Sequence, residues 1–306
     1  MKQTARLVLL LLVAVGLFAD CLAGDLPILM SKAGELHLLS GVDGAGGEAL
    51  RGEALSRELG SEEWALWPPI AWSPQEVRSQ GRLSVLQRPS STHLLGTDDR
   101  GRDVASRLVH GTRVSLRLAF WCALLASLVG CGLALLAMYR AALDPLVLTL
   151  CDTIAAVPSL LAVLVVVGLT GGQSSFALII LISIPRAAST ARVIRDGMQA
   201  ALAQPFCEAA RALGSTRTRL LMRHALPQCW PQLRVAAALS AATAVLAEVA
   251  LRFLGLGLGN EPSWGELLRQ AHDNALLWWL LVPAGLATSL LAWALGRVAA
   301  PAREVI

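Results

Sequence analysis

The chain has 306 residues, of which 55% are hydrophobic and only 16% charged. Its mean hydropathy is +0.58. The apolar share exceeds the roughly 45–50% of soluble domains and marks an integral membrane protein. The formal net charge of +4 is carried by arginine, since Lys2 and Lys32 are the only lysines. Neither follows a glycine, so there is no Gly-Lys-Ser/Thr phosphate loop and ATP hydrolysis by that route is excluded.

A span needs about 20 mainly apolar residues. Six such runs are read near Leu7–Ala23, Val114–Met138, Leu146–Leu169, Phe176–Ile194, Val235–Leu256 and Leu276–Leu295. The expected fold class is an all-α membrane protein of about six transmembrane helices with both termini on one side. Residues 1–24 hold the first helix, 25–113 an extracytoplasmic loop region, 114–298 a five-helix core and 299–306 a tail.

In the first run, Lys2 and Arg6 precede a short apolar core ending at Ala19, a pattern shared by a secretory signal peptide and a retained span. Asp20-Cys21 does not suit a small-residue cleavage site. The loop region that follows has glycines from Gly41 to Gly47, acids at Glu58, Glu62 and Glu63, and a tryptophan and proline cluster from Trp64 to Pro74. Indole rings favour boundaries, so Trp64, Trp67 and Trp72 are expected at the membrane interface or on a protein surface. A small local core beneath a long loop is the alternative.

Within the core, Gly130 and Gly132 suggest close helix packing. Asp144 and Asp152 lie around the start of the third span, while Pro158 and Pro185 are expected to kink the third and fourth. The turn Gly171-Gly172-Gln173 carries no charge. Between the fourth and fifth spans runs the densest arginine stretch. Arg186, Arg192, Arg195, Arg211, Arg217, Arg219 and Arg223 are opposed only by Asp196 and Glu208. The positive-inside rule places this loop, about 195–232, in the cytoplasm, and Lys2, Arg6, Arg140, Arg297 and Arg303 fall on the same side. The region from Asp25 to Arg113 is arginine-rich and yet outside, long enough to escape that rule.

The arginine loop reads as helical. Pro205 suits a first helical position, Glu208 lies near the positive end of the dipole, Ala209, Ala210, Ala212 and Leu213 are good helix formers, and Gly214 supplies the stop. Ser215 or Thr216 caps a second short helix through about Ala225, which Pro227 ends. A compact cytoplasmic helix of small alanines is a docking surface that another protein's groove can approach closely. An ordinary amphipathic interfacial helix is the alternative reading.

Glu248 falls inside the fifth span, where an ionisable group costs a few kcal/mol and normally faces protein or water. It is a candidate for the translocation path or for an interhelical hydrogen bond. Arg252 stands four residues on, at pairing distance. The glycines from Gly255 to Gly259 read as packing or turns. Cys21, Cys122, Cys131, Cys151, Cys207 and Cys229 lack paired metal spacing and read as packing residues. His37, His93, His110, His224 and His272 are scattered, so no metal site and no catalytic residue is expected. His224 reads either as a contact of the docking loop or as a solvated side chain.

Three ordered motifs now carry a resemblance. Glu208-Ala209-Ala210 through Gly214 to Leu226-Pro227 resembles the cytoplasmic coupling loop of bacterial ABC-type importer permeases. His93-Leu94-Leu95-Gly96-Thr97-Asp98-Asp99-Arg100-Gly101-Arg102-Asp103, continuing to Ser115-Leu116, looks like the signature before the second span of peptide-type permeases. Leu246-Ala247-Glu248 through Gly257 to Pro262-Ser263-Trp264-Gly265 is similar to the segment after their fifth span. The resemblance is to the C-type subunit of the dipeptide, oligopeptide and nickel importer group. Ala23-Gly24-Asp25-Leu26-Pro27 and Trp67-Pro68-Pro69-Ile70 also resemble its oligopeptide and peptide-antibiotic importing branch. That family usually has a small residue where Arg252 stands.

The resemblance implies a type I ABC importer permease fold in the bacterial cytoplasmic membrane, with a retained first span. It implies a second permease subunit, two P-loop ATPase subunits that use ATP and magnesium, and an extracytoplasmic solute-binding protein, for which the 25–113 region is a docking candidate. No cofactor is expected on this chain. Glu208, Ala209, Ala210, Gly214, Leu226 and Pro227 are then the ATPase contact. A secondary transporter would need its own ion-coupling groups, and neither an obvious repeat nor a second buried carboxylate paired with Glu248 is visible. An intramembrane hydrolase would need a base beside Ser183 or Ser240, and no histidine falls within an expected span. A purely structural membrane anchor is the remaining alternative.

Overall fold

The computed structural model describes residues 2–300 other than 33–34, 39–41, 44–48, 51, 53–54, 57–62, 77–84, 171–174, 257–260 and 276. The Gly171-Gly172-Gln173 turn, Glu58, Glu62, Gly257–Gly259, Arg303 and most of the Gly41–Gly47 stretch lie outside the described residues.

The helices are α1 (Lys2–Leu17), α2 (Ala19–Leu22), α3 (Val104–Tyr139), α4 (Leu143–Ala156), α5 (Ser159–Thr170) and α6 (Ser175–Leu202). A second group follows: α7 (Pro205–Ala212), α8 (Arg217–Leu220), a π-helical turn (Leu221–Ala225), α9 (Leu226–Gln228), α10 (Trp230–Phe253), α11 (Trp264–Asp273) and α12 (Trp278–Ala299). Among the described residues, α3, α6, α10 and α12 are each long and apolar enough to cross a membrane. The pair α4 and α5 meets the test together, and α1 is a shorter apolar helix.

Several expected boundaries move, each for a local reason. The second span's helix starts at Val104, ten residues before Val114, because Asp103 Oδ1 accepts from the Ser106 amide at 2.7 Å and so caps a helix that begins before the apolar run. The first helix stops at Leu17 and not at Ala23. There the Arg113 guanidinium takes the free end carbonyls, donating to Gly16 O at 2.9 Å and also gripping Asp20 at 2.8 Å. The third span is two helices bent by 73°, a sharper break than a kink. Val157 precedes Pro158 and is extended (φ −80°, ψ 123°), as the proline ring demands of its neighbour. Pro185, by contrast, leaves α6 unbroken.

The chain divides into two units. The first comprises Met1–Leu9, Arg117–Leu251 and Leu291–Ile306. Its interior joins Ala134 of α3, Ile194 and Met198 of α6, and Leu221, Ala225 and Cys229 below them. A second cluster unites Ala137, Val147, Cys151, Ala188 and Ala191. Arg195 pairs with Asp144 and Arg192 with Asp152, tying α6 to α4. Gly130 packs as expected, since a Cβ there would lie 2.7 Å from that of Thr190. Gly132 does not, because nothing lies within 4 Å of its Cβ position.

The second unit comprises Leu10–Leu116 and Arg252–Leu290. It adds strands to the all-α expectation: an antiparallel sheet of order β2-β1-β5, from β2 (Glu35–Leu38), β1 (Leu29–Lys32) and β5 (Trp64–Leu66). Register pairs Met30 with His37 and with Ala65. A two-stranded ladder joins β3 (Val42–Asp43) and β4 (Ala49–Leu50). Trp64 stays half exposed, whereas Trp72 packs locally on the His93 ring at 4.3 Å and donates to Thr92 O.

Candidate functional site

Two constellations collect the motif residues, one in each unit. In the first unit, Pro205 occupies the first turn of α7 and Glu208 follows within it. The helix closes in a Schellman motif: the Ser215 amide reaches Ala210 O at 3.1 Å and the Gly214 amide reaches Arg211 O at 3.0 Å. Gly214 takes φ +82°, the left-handed conformation this closure requires.

What α7 shows to solvent matters more than its shape. Glu208, Ala209 and Gly214 are exposed and Ala210 is half-buried. Leu213 is 88% exposed, and Phe206 and Met222 are about half exposed. Exposed leucines are ordinary singly, but here three large apolar side chains are exposed within one short segment, on α7, just after it and in the π-helical turn. Cys207 of α7 is fully buried and anchors the helix.

The segment after α7 is tied back to the long helices. Thr216 rather than Ser215 caps α8, accepting from the Arg219 amide. Arg217 donates to Met138 O at 2.9 and 3.1 Å, fastening α8 to the end of α3. Leu221 and Ala225 of the π turn pack on Ile194 and Met198 of α6. Pro227 does not end the second helix as expected. It sits in the first turn of α9, where its missing amide is no loss, and the helical course continues to Gln228. Leu226 is half-buried and Pro227 exposed. The His224 ring lies 6.5 Å from that of Phe206.

In the second unit, the residues from His93 to Arg107 close on α11 through buried charge. Asp98 Oδ1 accepts from the amides of Arg100 and Arg102, each at 2.9 Å. Its other oxygen takes Arg102 Nε at 2.7 Å and lies 3.4 Å from Arg107 Nε. Both arginines reach Glu266, Arg107 at 2.6 Å and Arg102 at 3.3 Å. The Arg107 and Asp98 side chains are wholly buried. Burial alone would raise the Glu266 carboxyl, but Arg107 and Arg102 overcome it and hold Glu266 below its usual range. Burial and then the neighbouring Asp98 push Asp99 the other way, upward.

Helix α11 was not foreseen from composition, although Ser263 and Glu266 stand in the Ser-x-x-Glu spacing of a capping box. Ser263 Oγ accepts from the Gly265 amide at 3.1 Å, and the Trp264 indole donates to Leu108 O at 3.0 Å. Gly111 admits that indole, since a Cβ there would lie 2.9 Å from Trp264 Cδ1. Arg252, expected opposite Glu248, sends Nη1 to Glu261 O at 2.8 Å. Glu248 is 1% exposed in α10, and both it and Arg252 interact further within the chain. The structure therefore gathers Glu208 to Pro227 into one segment and leaves Glu248 apart from it.

Residues 126–303 match the family model described as "Binding-protein-dependent transport system inner membrane component". The chain is 35% identical over 233 residues to the di/tripeptide transport system permease protein DppC of Pseudomonas aeruginosa, covering 72% of this chain and 76% of the relative. It is 33% identical over 225 residues to the dipeptide transport system permease protein DppC of Alkalihalophilus pseudofirmus, covering 72% and 73%. Among solved structures, a chain from the inward-facing MetNI methionine ABC transporter superposes with a TM-score of 0.53 at 18% identity, covering 62% of this chain and 91% of that one.

Proposed function

This chain belongs to the family of binding-protein-dependent transport system inner membrane components, and we propose that it imports peptides as one of two permease subunits driven by partner ATPases. It has the type I ABC importer permease fold. The peptide assignment draws on relatives named as dipeptide and di/tripeptide permeases. The exposed α7 face carries the coupling assignment.

In this reading α7 seats in a cleft of a P-loop ATPase subunit, which binds and hydrolyses ATP with magnesium; this chain itself catalyses no reaction. A second permease completes the pore, an extracytoplasmic binding protein delivers the solute, and both termini are cytoplasmic. Moving a two-state permease from 1:99 to 99:1 requires about 5.5 kcal/mol of differential binding. Burying what Phe206, Leu213 and Met222 leave exposed contributes about 3–5 kcal/mol, of which only the part gained in one state over the other shifts the equilibrium. Force on α7 then passes through Arg217 to α3 and through Leu221 and Ala225 to α6.

The test is ATP-dependent peptide uptake by the complex in proteoliposomes, with Glu208→Ala and Gly214→Trp variants. Both should insert normally and lose uptake and ATPase recovery on co-purification. Full uptake by both variants would sink the coupling assignment, and uptake without ATP would point to a secondary transporter.

A further inference from the structure

The first unit contains a cavity of about 790 Å³ bounded by α1, α6, α10 and α12. Arg6, Arg186, Arg234 and Arg297 all line it, together with Ser189 and Thr190. Among the described residues lining it there is no carboxylate. Four guanidiniums facing one space without an acid make a strong field for an anion. The remaining wall is apolar, formed by Val193, Val235, Leu239 and Val298.

The cations are spread in depth. Arg6 is near the start of α1, Arg234 in the first turns of α10 and Arg297 in the last turn of α12. Arg186 lies deeper, donating to Ser240 Oγ at 3.4 Å. Ser240 is six residues beyond Arg234, about 9 Å along the helix. The arginines thus run from the helix ends inward over a distance on the scale of a lipid head-group layer. A peptide would bring an ammonium into this field. Four cations would repel it, and no lining carboxylate would receive it.

We propose that this cavity is a binding site for the head group of an anionic phospholipid, one that carries phosphate and no ammonium. The phosphate sits among the arginines, and the start of an acyl chain lies along the valines and Leu239. The site is separate from the α7 face, so it stands or falls independently of the coupling assignment.

The experiment is native mass spectrometry of the full chain, purified in mild detergent with the subunits that accompany it, after addition of phosphatidylglycerol, phosphatidylethanolamine or phosphatidylcholine. One phosphatidylglycerol per copy should be retained, in preference to either zwitterionic lipid. Each arginine near a lipid surface contributes about fivefold in affinity, so Arg234→Gln with Arg297→Gln should weaken retention about 25-fold. Arg234→Lys with Arg297→Lys keeps the charge and should retain the lipid, which separates charge loss from misfolding. Equal retention by wild type and the glutamine variant overturns the site. So does displacement by millimolar inorganic phosphate or by an acidic peptide, either of which would assign the cavity to a soluble anion.

Discussion

The residues from His93 to Arg107 and those from Pro205 to Pro227 are both rich in charge, yet the fold uses the two in opposite ways. In the first stretch Asp98, Arg102 and Arg107 are buried and find partners inside the chain, with Glu266 as the far member. In the second, Glu208, Arg211 and Arg219 remain at the surface and the large apolar side chains beside them are exposed. A charge that is satisfied internally serves folding, because burying it without a partner is costly. A charge left outside beside exposed leucine and phenylalanine is available to another protein.

That contrast is broken most severely at Arg107. Replacing it by leucine leaves Arg102 as the one remaining guanidinium on Glu266 and Asp98, and removal of one member of a buried ion pair typically costs about 3–5 kcal/mol. The expected result is a large fall in thermal stability in detergent; an unchanged melting temperature would show that the network contributes nothing. A smaller loss is expected at Gly130, where a valine must displace Thr190 and the Ala187 carbonyl, at about 1–3 kcal/mol. Gly132→Ala is its control and should be neutral or slightly stabilising, since the space is open.

Acid should act on one region and spare the other. Glu266 is held below its usual value, about 4.5, so its contribution is fully present above that pH and is lost as the pH falls through the lower folded value. Hydrogen exchange of 93–107 and 264–273 should therefore quicken below about pH 4.5, and Glu266→Gln should remove that dependence. An acid transition identical in the variant would assign it to other groups. The smallest effect on stability belongs to Leu213→Ser. An 88% exposed side chain makes few contacts within the chain, so the change should stay within about 0.5 kcal/mol. Its effect on recovery of ATPase subunits should nonetheless be large.

Some of this was legible residue by residue. Pro205 and Gly214 bracket α7 because one tolerates a missing amide and the other a left-handed φ, both local requirements. Helix α11 carried a readable capping signal in Ser263 and Glu266, but its apolar face is too short to register beside membrane spans. The strands of the second unit are two to four residues long and leave no period to read. The chain breaks at Pro158 and passes helically through Pro185, although both are single prolines, so the residue type alone does not tell the two outcomes apart.

By itself the sequence determined what depends on composition and near neighbours: a membrane protein of about six apolar runs, an arginine loop with a capped short helix, and the absence of a phosphate loop on this chain. Tertiary structure alone decided which charges meet. Arg107 and Glu266 are 159 positions apart, and the four arginines of the cavity come from four different helices. Pairing of that kind is set by helix packing and burial, which act through space, whereas caps and hydropathy act through a few adjacent residues.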